Sequence, residues 1–533
     1  MDCTTSFLPY TNTGFFSNIV GDYLAQATAL RPFYEHLPNM EGIKDSIEAR
    51  NLNPINRSLL VKVLEEQYKG LTVSDKVAEH IQLLAKEHVY TVTTAHQPNI
   101  FTGPLYFIYK IMHAVKLSAE LSAAFPDKKF VPVYYMGSED ADLEELGYIN
   151  LGGQKLVWQT KQTGAVGRMK VDKSFIQLLH AIEGQIAVLP NGNQLVQLFN
   201  SCYTEGKMIQ QATLELVNHL FANYGVVVLI PDNTALKAEF IPLVKKELLN
   251  QFSHSIVEKT ANELSKHYKV QAAGRLINLF YLINDQRERI ELRADGIYEV
   301  QALKLEFTKE AILDELQKFP ERFSPNVILR GVFQEIILPN IAFIGGGGEL
   351  AYWLELKQVF KAAEVPYPLL VLRNSFLFIE KAQQDKWKKH SLNNQDLFTK
   401  TADLINRLVK EKSTNQLSLQ RELAEANAFY ENVQAICSAI DNSLSDHVSS
   451  LKVNALKKLT ELEKKMLRAE KNKFEIAIQQ ITQLKQALFP ENNLQERTNN
   501  FATLYATYGQ DWLQQIYQSS TGLKQEFGII VVN

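Results

Sequence analysis

"HVYTVTTAHQPNIFTGPLYFIYKIMHAVKLSAELSAAFPDKKFVPVYYMG" spans residues 88–137 and decides the fold. Residues 88–96 and 130–137 are runs of β-branched and aromatic side chains, which predict two buried strands. Between them, apolar residues recur three and four positions apart after Pro104, which predicts a helix with proline at its first position. A strand, a helix and a second strand in this order form a β–α–β unit with parallel strands.

Three further apolar runs extend the same alternation of strands and helices up to about residue 380. They are "GVVVLIPD" at 225–232, "IAFIG" at 341–345 and "PLLVLR" at 368–373. The predicted fold class is therefore α/β, with a mainly parallel sheet covered by helices. In such sheets ligands bind at the carboxyl ends of the strands, where loops lead into helix N-termini.

Beyond the predicted sheet, residues 394–488 contain no proline and are rich in Lys, Glu, Gln, Leu and Ala. Two sets of apolar residues follow heptad-like spacing: Leu459, Leu462, Met466 and Ala469, then Ala477, Ile481, Leu484 and Leu488. This spacing predicts a helical hairpin or coiled coil, which can close within one chain or between two. The aromatic stretch that follows is predicted to pack back on the core.

The composition excludes several classes of protein. A formal net charge of -3 over 533 residues provides no global field for nucleic acid. Three scattered cysteines, Cys3, Cys202 and Cys437, fit a reducing compartment and no disulfide framework. The N-terminus has an acid where a signal peptide carries basic residues, and no apolar run reaches the length of a membrane span. We therefore expect a cytoplasmic protein that binds neither nucleic acid nor a membrane.

The first candidate loop follows the strand that ends at His96. Its polar side chains precede a helix start, where free backbone N–H groups can hold a phosphate or carboxylate. Lys110, two turns into the helix, can reach back to such an anion. A structural histidine and a surface lysine are the alternatives. The other candidates in this loop are Gln97, Asn99, Thr102 and Gly103.

The second candidate loop, "MGSEDADLEELGYINLGG", places acids directly after an apolar strand. Clustered carboxylates can bind an amine, coordinate Mg²⁺ or act as a general base. A solvated acidic turn that caps a helix remains the alternative. The acids are Glu139, Asp140, Asp142, Glu144 and Glu145.

The third candidate loop contains four consecutive glycines between a buried strand and a helix. No Gly-Lys-Ser/Thr follows them, so this is no Walker loop, and Leu350 occupies the position where a dinucleotide fingerprint starting at Gly345 requires a small residue. Bare backbone at a helix start still admits an anion, and a flexible hinge is the alternative. The candidates are Gly345, Gly346, Gly347 and Gly348, with Glu349 and Tyr352 on the first helical turn.

Several arginines add cationic candidates. Arg373 follows the last predicted strand, where it can pair bidentately with a carboxylate or phosphate, or form a structural salt bridge. Alternation around Arg287 and Arg289 predicts a β-hairpin whose arginines lie on a solvated face. Gln495 and Arg497 follow the helical region and are predicted to form a second anion-binding patch, separate from the main site.

Motifs across nearly the whole chain carry a family resemblance. They are "HQPNIFTGPLYFIYKIMHAVKLSAEL", "VPVYYMGSEDADLEEL", "INLFYLINDQRERIEL", "FSPNVILRGVFQEIILPNIAFIGGGGELAYWLELKQVF" and "NNLQER". Together they resemble the bacillithiol biosynthesis cysteine-adding enzyme family. The resemblance implies a ligase that joins L-cysteine to glucosaminyl malate through an amide bond, the last step of bacillithiol biosynthesis.

The resemblance also implies an architecture. We expect a Rossmann-like core over residues 1–390, with inserted connecting segments at roughly 150–330, and a coiled-coil arm over 391–489 that forms a homodimer. Residues 490–533 are expected to pack on the core. Two positions depart from the family pattern: His96 stands where many relatives have Gln, and Ala141 stands where they have His.

For the site, the resemblance implies that the three loops form one active centre that uses ATP and Mg²⁺. His96 and Lys110 would stabilise developing negative charge, while Glu139, Asp140 and Asp142 would bind an amine or metal. The glycine loop, Thr102 with Gly103, and Arg373 would hold malate or phosphate oxygens. Which residues would bind the metal stays open. A nucleotidyltransferase for another small acid and a nucleotide-binding coiled-coil scaffold are the alternatives.

Overall fold

A computed structural model describes residues 1–271 and 274–533. The chain forms two compact units. One comprises Met1–Phe378 together with Asn493–Asn533, and the other comprises Ile379–Asn492. Each unit is described separately below.

Within the described residues the strands are β1 (Cys3–Leu8), β2 (Val89–His96), β3 (Lys129–Met136), β4 (Tyr148–Leu151), β5 (Gln154–Val157), β6 (Val227–Leu229), β7 (Leu279–Ile283), β8 (Gln286–Arg289), β9 (Glu291–Leu292), β10 (Tyr298–Val300), β11 (Leu305–Phe307), β12 (Phe323–Pro325), β13 (Asn340–Gly345), β14 (Leu369–Leu372), β15 (Phe376–Ile379) and β16 (Phe527–Val532).

The α-helices of the larger unit are α1 (Asn18–Leu24), α2 (Met40–Asn51), α3 (Arg57–Gln67), α4 (Asp75–Leu83), α5 (Tyr106–Ala124), α6 (Leu143–Leu146), α7 (Lys173–Ile186), α8 (Gly192–Cys202), α9 (Ile209–Phe221), α10 (Thr234–Asn250), α11 (Phe252–Leu264), α12 (Lys309–Lys318), α13 (Val327–Ile337), α14 (Gly347–Trp353) and α15 (Lys357–Ala363). Those of the smaller unit are α16 (Lys381–Lys389), α17 (Thr401–Lys412), α18 (Gln420–Ile440), α19 (Asn442–Lys471) and α20 (Glu475–Leu488). The last three, α21 (Gln495–Thr498), α22 (Ala502–Tyr508) and α23 (Gln510–Ser519), belong to the larger unit again.

The main sheet has five strands in the order β14-β13-β2-β3-β6, and all neighbouring pairs are parallel. These are the five strands predicted from the sequence, so the predicted α/β fold with a parallel sheet is confirmed. In register, His96 pairs with Met136 and Gly345 pairs with Leu372. Because these four residues end their strands together, the loops that follow β2, β3, β13 and β14 leave from one edge of the sheet.

Helix α5 begins two residues later than predicted, at Tyr106 instead of Pro104. Pro104 forms an isolated β-bridge with Asn500, and the N–H of Leu105 donates to the Asn499 carbonyl at 2.8 Å. These contacts hold Pro104 in a β-bridge, whereas Leu105 already has helical backbone angles, so the helix starts directly after it. Tertiary contacts therefore override the local signal of the proline.

A short segment near the C-terminus, residues 493–500, supplies those contacts and is called the return segment here. The side-chain amide of Asn500 donates to the carbonyls of Phe101 and Gly103, at 2.9 and 2.6 Å. The loop from Phe101 to Gly103, which contains both of these carbonyls, has three successive positive φ angles, 49°, 66° and 66°. The return segment thus clamps a strained loop that leads into α5.

The predicted hairpin forms from β7 and β8, which pair antiparallel. The prediction that its arginines face solvent is wrong for Arg287, whose side chain is only 7% exposed. The Arg287 guanidinium donates to Ser324 Oγ at 2.9 Å and lies 3.6 Å from Asp140. A buried carboxylate on a distant loop therefore draws this arginine inwards.

In the smaller unit, α18 and α19 form an antiparallel hairpin in which Gln434 donates to Ser445 and Lys452 pairs with Glu431. The predicted apolar residues Ile481, Leu484 and Leu488 are buried on α20, while Leu462 on α19 is 47% exposed. Homodimerisation through this unit stays a prediction. In the described part of the chain no helix combines the length and apolarity that crossing a bilayer requires.

Gly103 provides a test of the strained loop. A Cβ there would lie 2.8 Å from the Cβ of Asn99 at a φ of +66°, whereas Gly206, at a φ of +86°, has open space around it. We expect Gly206→Ala to lower the free energy of unfolding by about 1–2 kcal/mol through backbone strain alone. Gly103→Ala should lower it by about 2–5 kcal/mol, because overpacking adds to the strain. Urea denaturation measures both, and equal losses would contradict the clamped geometry.

Candidate active site

A cavity of about 590 Å³ lies at the carboxyl edge of the parallel sheet. Four strand ends contribute to its wall: His96 ends β2, Gly137 follows β3, Gly346–Gly348 follow β13, and Arg373 follows β14. The loops that were predicted to form one site do meet here. Their roles in any reaction stay predictions at this point.

His96 is enclosed by aromatic rings rather than by solvent. Its ring centroid lies 5.3 Å from that of Tyr106 and 5.5 Å from that of Phe107. Burial holds the pKa of His96 well below its ordinary value, and the nearby cations Lys110 and Arg373 lower it further. The Nε2 atom is buried and has no hydrogen-bond partner among the described residues. The lowered pKa favours the neutral imidazole, and the hydrogen-bonding capacity of its Nε2 is unused by the described residues.

Lys110 is buried rather than a surface lysine. Its ammonium group donates to the carbonyl of Ala95 at 2.8 Å and forms an ion pair with the carboxylate of Glu349. Burial lowers the pKa of Lys110, although Glu349 acts in the opposite direction. Lys110 thus connects the end of β2 to the first turn of α14, with its ammonium in the cavity wall.

The glycine loop differs in detail from a bare helix N-terminus. Helix α14 has only seven residues, and the carboxylate of Glu349 accepts the N–H of Gly346 at 2.8 Å. Gly347 and Gly348 line the cavity, and a Cβ on Gly348 would meet no atom within 4 Å. Since Gly345 to Gly348 are not at positive φ, no special turn requires these glycines, and close approach of a ligand stays a prediction.

Arg373 forms the structural salt bridge that was one of its predicted alternatives, and its pairing with a ligand stays a prediction. Its guanidinium pairs with Glu496 of the return segment at 2.6 Å, where both side chains are nearly inaccessible, and it also lines the cavity. The same group lies 5.0 Å from the centre of the Tyr106 ring. Burial alone would lower the pKa of Arg373, but Glu496 more than offsets this and raises the pKa. The arginine is a fixed positive charge beside His96.

The acids of the second loop already have partners. Glu139 pairs with Lys237 at 2.6 Å, and both oxygens of Asp140 accept from Arg330, one of them at 2.9 Å. Burial would raise the pKa of Asp140, but Arg330 and then Arg287 hold it below its ordinary value.

Of the remaining acids of this loop, one caps a helix and another lines the cavity. Asp142 caps α6 by accepting the N–H of Glu145. Glu145 is the acid of this loop that lines the cavity, and burial together with Asp142 and Asp140 raises its pKa. Within residues 1–271 and 274–533, no group of three or more His, Cys, Asp or Glu side chains is arranged to hold a metal ion.

The other predicted residues separate into two groups. Gln97 and Tyr352 line the main cavity, and burial, then Glu349, raises the pKa of the Tyr352 hydroxyl. Asn99, Thr102 and Gly103 are buried behind it, and Gln495 bonds to the backbone of β15 instead.

Two arginines enlarge the site beyond what the sequence predicted. Arg497, expected in a separate patch, lies in the wall of the main cavity because the return segment folds back against the sheet edge. Arg330 was not among the predicted site residues. An arginine within the apolar sequence of α13 is a signal that could have identified it. With Lys110 and Arg373, these arginines place four cationic groups around one cavity. Such a cavity is suited to an anionic small molecule.

The chain thus forms a Rossmann-like parallel sheet with a cavity at its carboxyl edge, which is where such folds bind their ligands. Residues 1–374 match the family model described as the bacillithiol biosynthesis BshC N-terminal Rossmann-like domain, and residues 376–532 match that of the BshC C-terminal coiled-coil domain. The chain belongs to the bacillithiol biosynthesis BshC family.

Relatives match this chain over nearly its full length. A protein named "Putative cysteine ligase BshC" from Flavobacterium johnsoniae is 39% identical and covers 99% of this chain and 100% of its own length. Proteins of the same name from Flavobacterium psychrophilum and Christiangramia forsetii are 38% and 36% identical, each with 99% of both chains covered.

The neutral state of His96 predicts a pH effect on stability. As the pH falls below about 6.5, the ordinary histidine pKa, the unfolded chain takes up a proton that folded His96 does not bind, so stability falls with pH. His96→Gln should flatten this fall between pH 6.5 and 5 by up to about 1.4 kcal/mol per pH unit. Urea denaturation at several pH values measures the slope. The same flattening from His219→Gln, a change at an exposed histidine, would argue against a special environment at His96.

Proposed function

We propose that this protein is a ligase that joins L-cysteine to glucosaminyl malate through an amide bond, the last step of bacillithiol biosynthesis. The observation that carries the proposal is the set of four cations, Lys110, Arg330, Arg373 and Arg497, around one cavity at the sheet edge. Glucosaminyl malate carries two carboxylates, and such a wall attracts them. The names of the relatives agree with a cysteine ligase.

Amide formation requires an activated cysteine carboxylate, because oxide is too poor a leaving group. ATP is the proposed donor, giving an acyl phosphate or an acyl adenylate. The cationic wall and the open backbone at Gly348 fit phosphate oxygens. We propose that Mg²⁺ enters with the nucleotide, since Mg²⁺ commonly binds through substrate phosphates and only one or two carboxylates.

In this proposal the cations have different roles. Arg373 and Arg497 hold malate or phosphate oxygens, and Lys110 stabilises the negative charge that develops on the attacked carbonyl. His96, as a neutral imidazole with a free Nε2, donates or accepts a hydrogen bond at the same centre. Lys110 and Arg373 are held in place by ion pairs with Glu349 and Glu496, which is the preorganisation that catalysis requires.

The carboxylates serve two different purposes. Asp140 and Glu139 hold Arg330 and Lys237 in position through their ion pairs. Glu145 lines the cavity with a raised pKa, so it is the carboxylate that we propose takes the proton of the attacking amine. Asp142 contributes indirectly, since it caps the short helix that carries Glu145.

Purified protein incubated with cysteine, glucosaminyl malate and ATP–Mg²⁺ tests the proposal. We expect a thiol product with the mass of the cysteine amide, together with ADP or AMP. Mass spectrometry detects the product, and nucleotide chromatography separates the two routes of activation. Absence of the thiol product under every nucleotide condition would reject the ligase. Transfer of a nucleotidyl group to malate without cysteine would favour the nucleotidyltransferase instead.

Gly348→Ala tests close approach of a ligand to the glycine loop. The added methyl group meets open space in the folded protein, so stability should be unchanged or higher by about 0.5–1 kcal/mol, as for other helical glycines. Activity should fall at least about tenfold, a barrier increase of about 1.4 kcal/mol, because the methyl group occupies ligand space. Gly184→Ala, in the exposed last turn of α7 with equally open surroundings, is the control. Unchanged activity of Gly348→Ala would exclude close approach there.

A further inference from the structure

A second, smaller cavity of about 250 Å³ adjoins the main one. Tyr106, Glu145 and Arg497 line both cavities, so they form the boundary between them. We call the larger space the anion chamber and the smaller one the side chamber. The side chamber lies between the start of α5, the strand β4 and the return segment.

The two chambers differ in charge. The anion chamber has four cationic side chains in its wall and two acidic ones, Glu145 and Glu349. The side chamber has only the shared pair Arg497 and Glu145 as charged groups, and its other polar groups are neutral amides and hydroxyls, among them Asn99, Tyr148 and Asn150. A ligand that fills both chambers therefore has acidic groups at one end and neutral, hydrogen-bonding groups at the other.

One buried polar group in the side chamber lacks a partner. Asn99 is only 4% exposed, and its side-chain oxygen has no hydrogen-bond partner among the described residues. A buried acceptor without a partner costs about 1–3 kcal/mol, so a ligand that donates a hydrogen bond here gains affinity. Hydroxyl and amine groups are such donors. The chamber is also smaller than the roughly 300–1,000 Å³ typical of sites for drug-sized ligands, which suits a single ring rather than a nucleotide.

We propose that the side chamber binds the amino-sugar ring of the acceptor substrate, while the anion chamber binds its malate carboxylates; this assignment rests on the proposed function. Glucosamine carries its amine on the carbon next to the glycosidic carbon. With malate in one chamber and the ring in the other, the amine lies at the boundary beside Glu145. The side chamber thus sets which acceptor is used and points its amine at the activated carboxylate.

Calorimetric titration of the full chain with glucosaminyl malate and with malate alone tests the assignment. In Asn99→Ala, affinity for glucosaminyl malate should fall about three- to tenfold, the effect of one neutral hydrogen bond, while affinity for malate stays within twofold. Tyr148→Phe removes only a hydroxyl group and should also lower the affinity for glucosaminyl malate. It keeps the test valid if the Asn99 variant misfolds. The control is Tyr517→Phe. In both tyrosine variants the aromatic ring stays beneath a lysine, which is Lys116 at position 517 and Lys155 at position 148.

The outcomes separate the two proposals. Suppose that both ligands bind the unchanged protein. If the variants then weaken the binding of both ligands equally, or of neither ligand, the side chamber does not bind the sugar. The ligase proposal stands in that case. Weakened binding of cysteine instead would assign the chamber to the other substrate and overturn the inference. If the unchanged protein binds neither glucosaminyl malate nor malate, the proposed function fails and this assignment fails with it.

Discussion

The buried ion pair between Arg373 and Glu496 is the constraint on which the rest of the site depends. Arg373 ends the last strand of the parallel sheet, and Glu496 belongs to the return segment, 123 residues further along the chain. Both carboxylate oxygens of Glu496 are used, since the second accepts the N–H of Phe376 at 3.2 Å. Removing one partner of such a pair typically costs about 3–5 kcal/mol, because a charge remains buried without compensation.

The energetic value of this pair lies in specificity more than in net stability, since desolvation offsets much of the attraction. The pair fixes the return segment at the edge of the sheet, which brings Arg497 into the cavity wall and Asn500 onto the strained loop before α5. A hydrophobic contact would tolerate sliding of the segment by a fraction of a turn. The Glu496 carboxylate does not, because one of its oxygens is bonded to the Arg373 guanidinium and the other to the N–H of Phe376.

The sequence predicted the sheet well and the ion pairs poorly, for a physical reason. Buried parallel strands are continuous apolar runs bounded by turn residues, so β2, β3, β6, β13 and β14 are recognisable from local composition alone. The partners of Asp140 and Glu139 lie on α13 and α10, 190 and 98 residues away, and no local pattern connects them. The start of α5 was misplaced for the same reason, because Asn499 and Asn500 decide it. Arg497 was assigned elsewhere because its position depends on a contact made after the helical unit.

The position of the return segment in the chain has a consequence for biosynthesis. A ribosome makes the parallel sheet first, and the whole helical unit follows before Glu496 emerges. Until then Arg373 has no carboxylate partner, and the loop from Phe101 to Gly103 has no clamp. The nascent sheet therefore has an unneutralised arginine at its edge until the return segment is made. Contacts between residues that are far apart in the sequence form slowly. Cotranslational folding of this chain is thus expected to end when the return segment completes the cavity wall, so that a partly made chain holds the sheet without Glu496 and Arg497 at its edge.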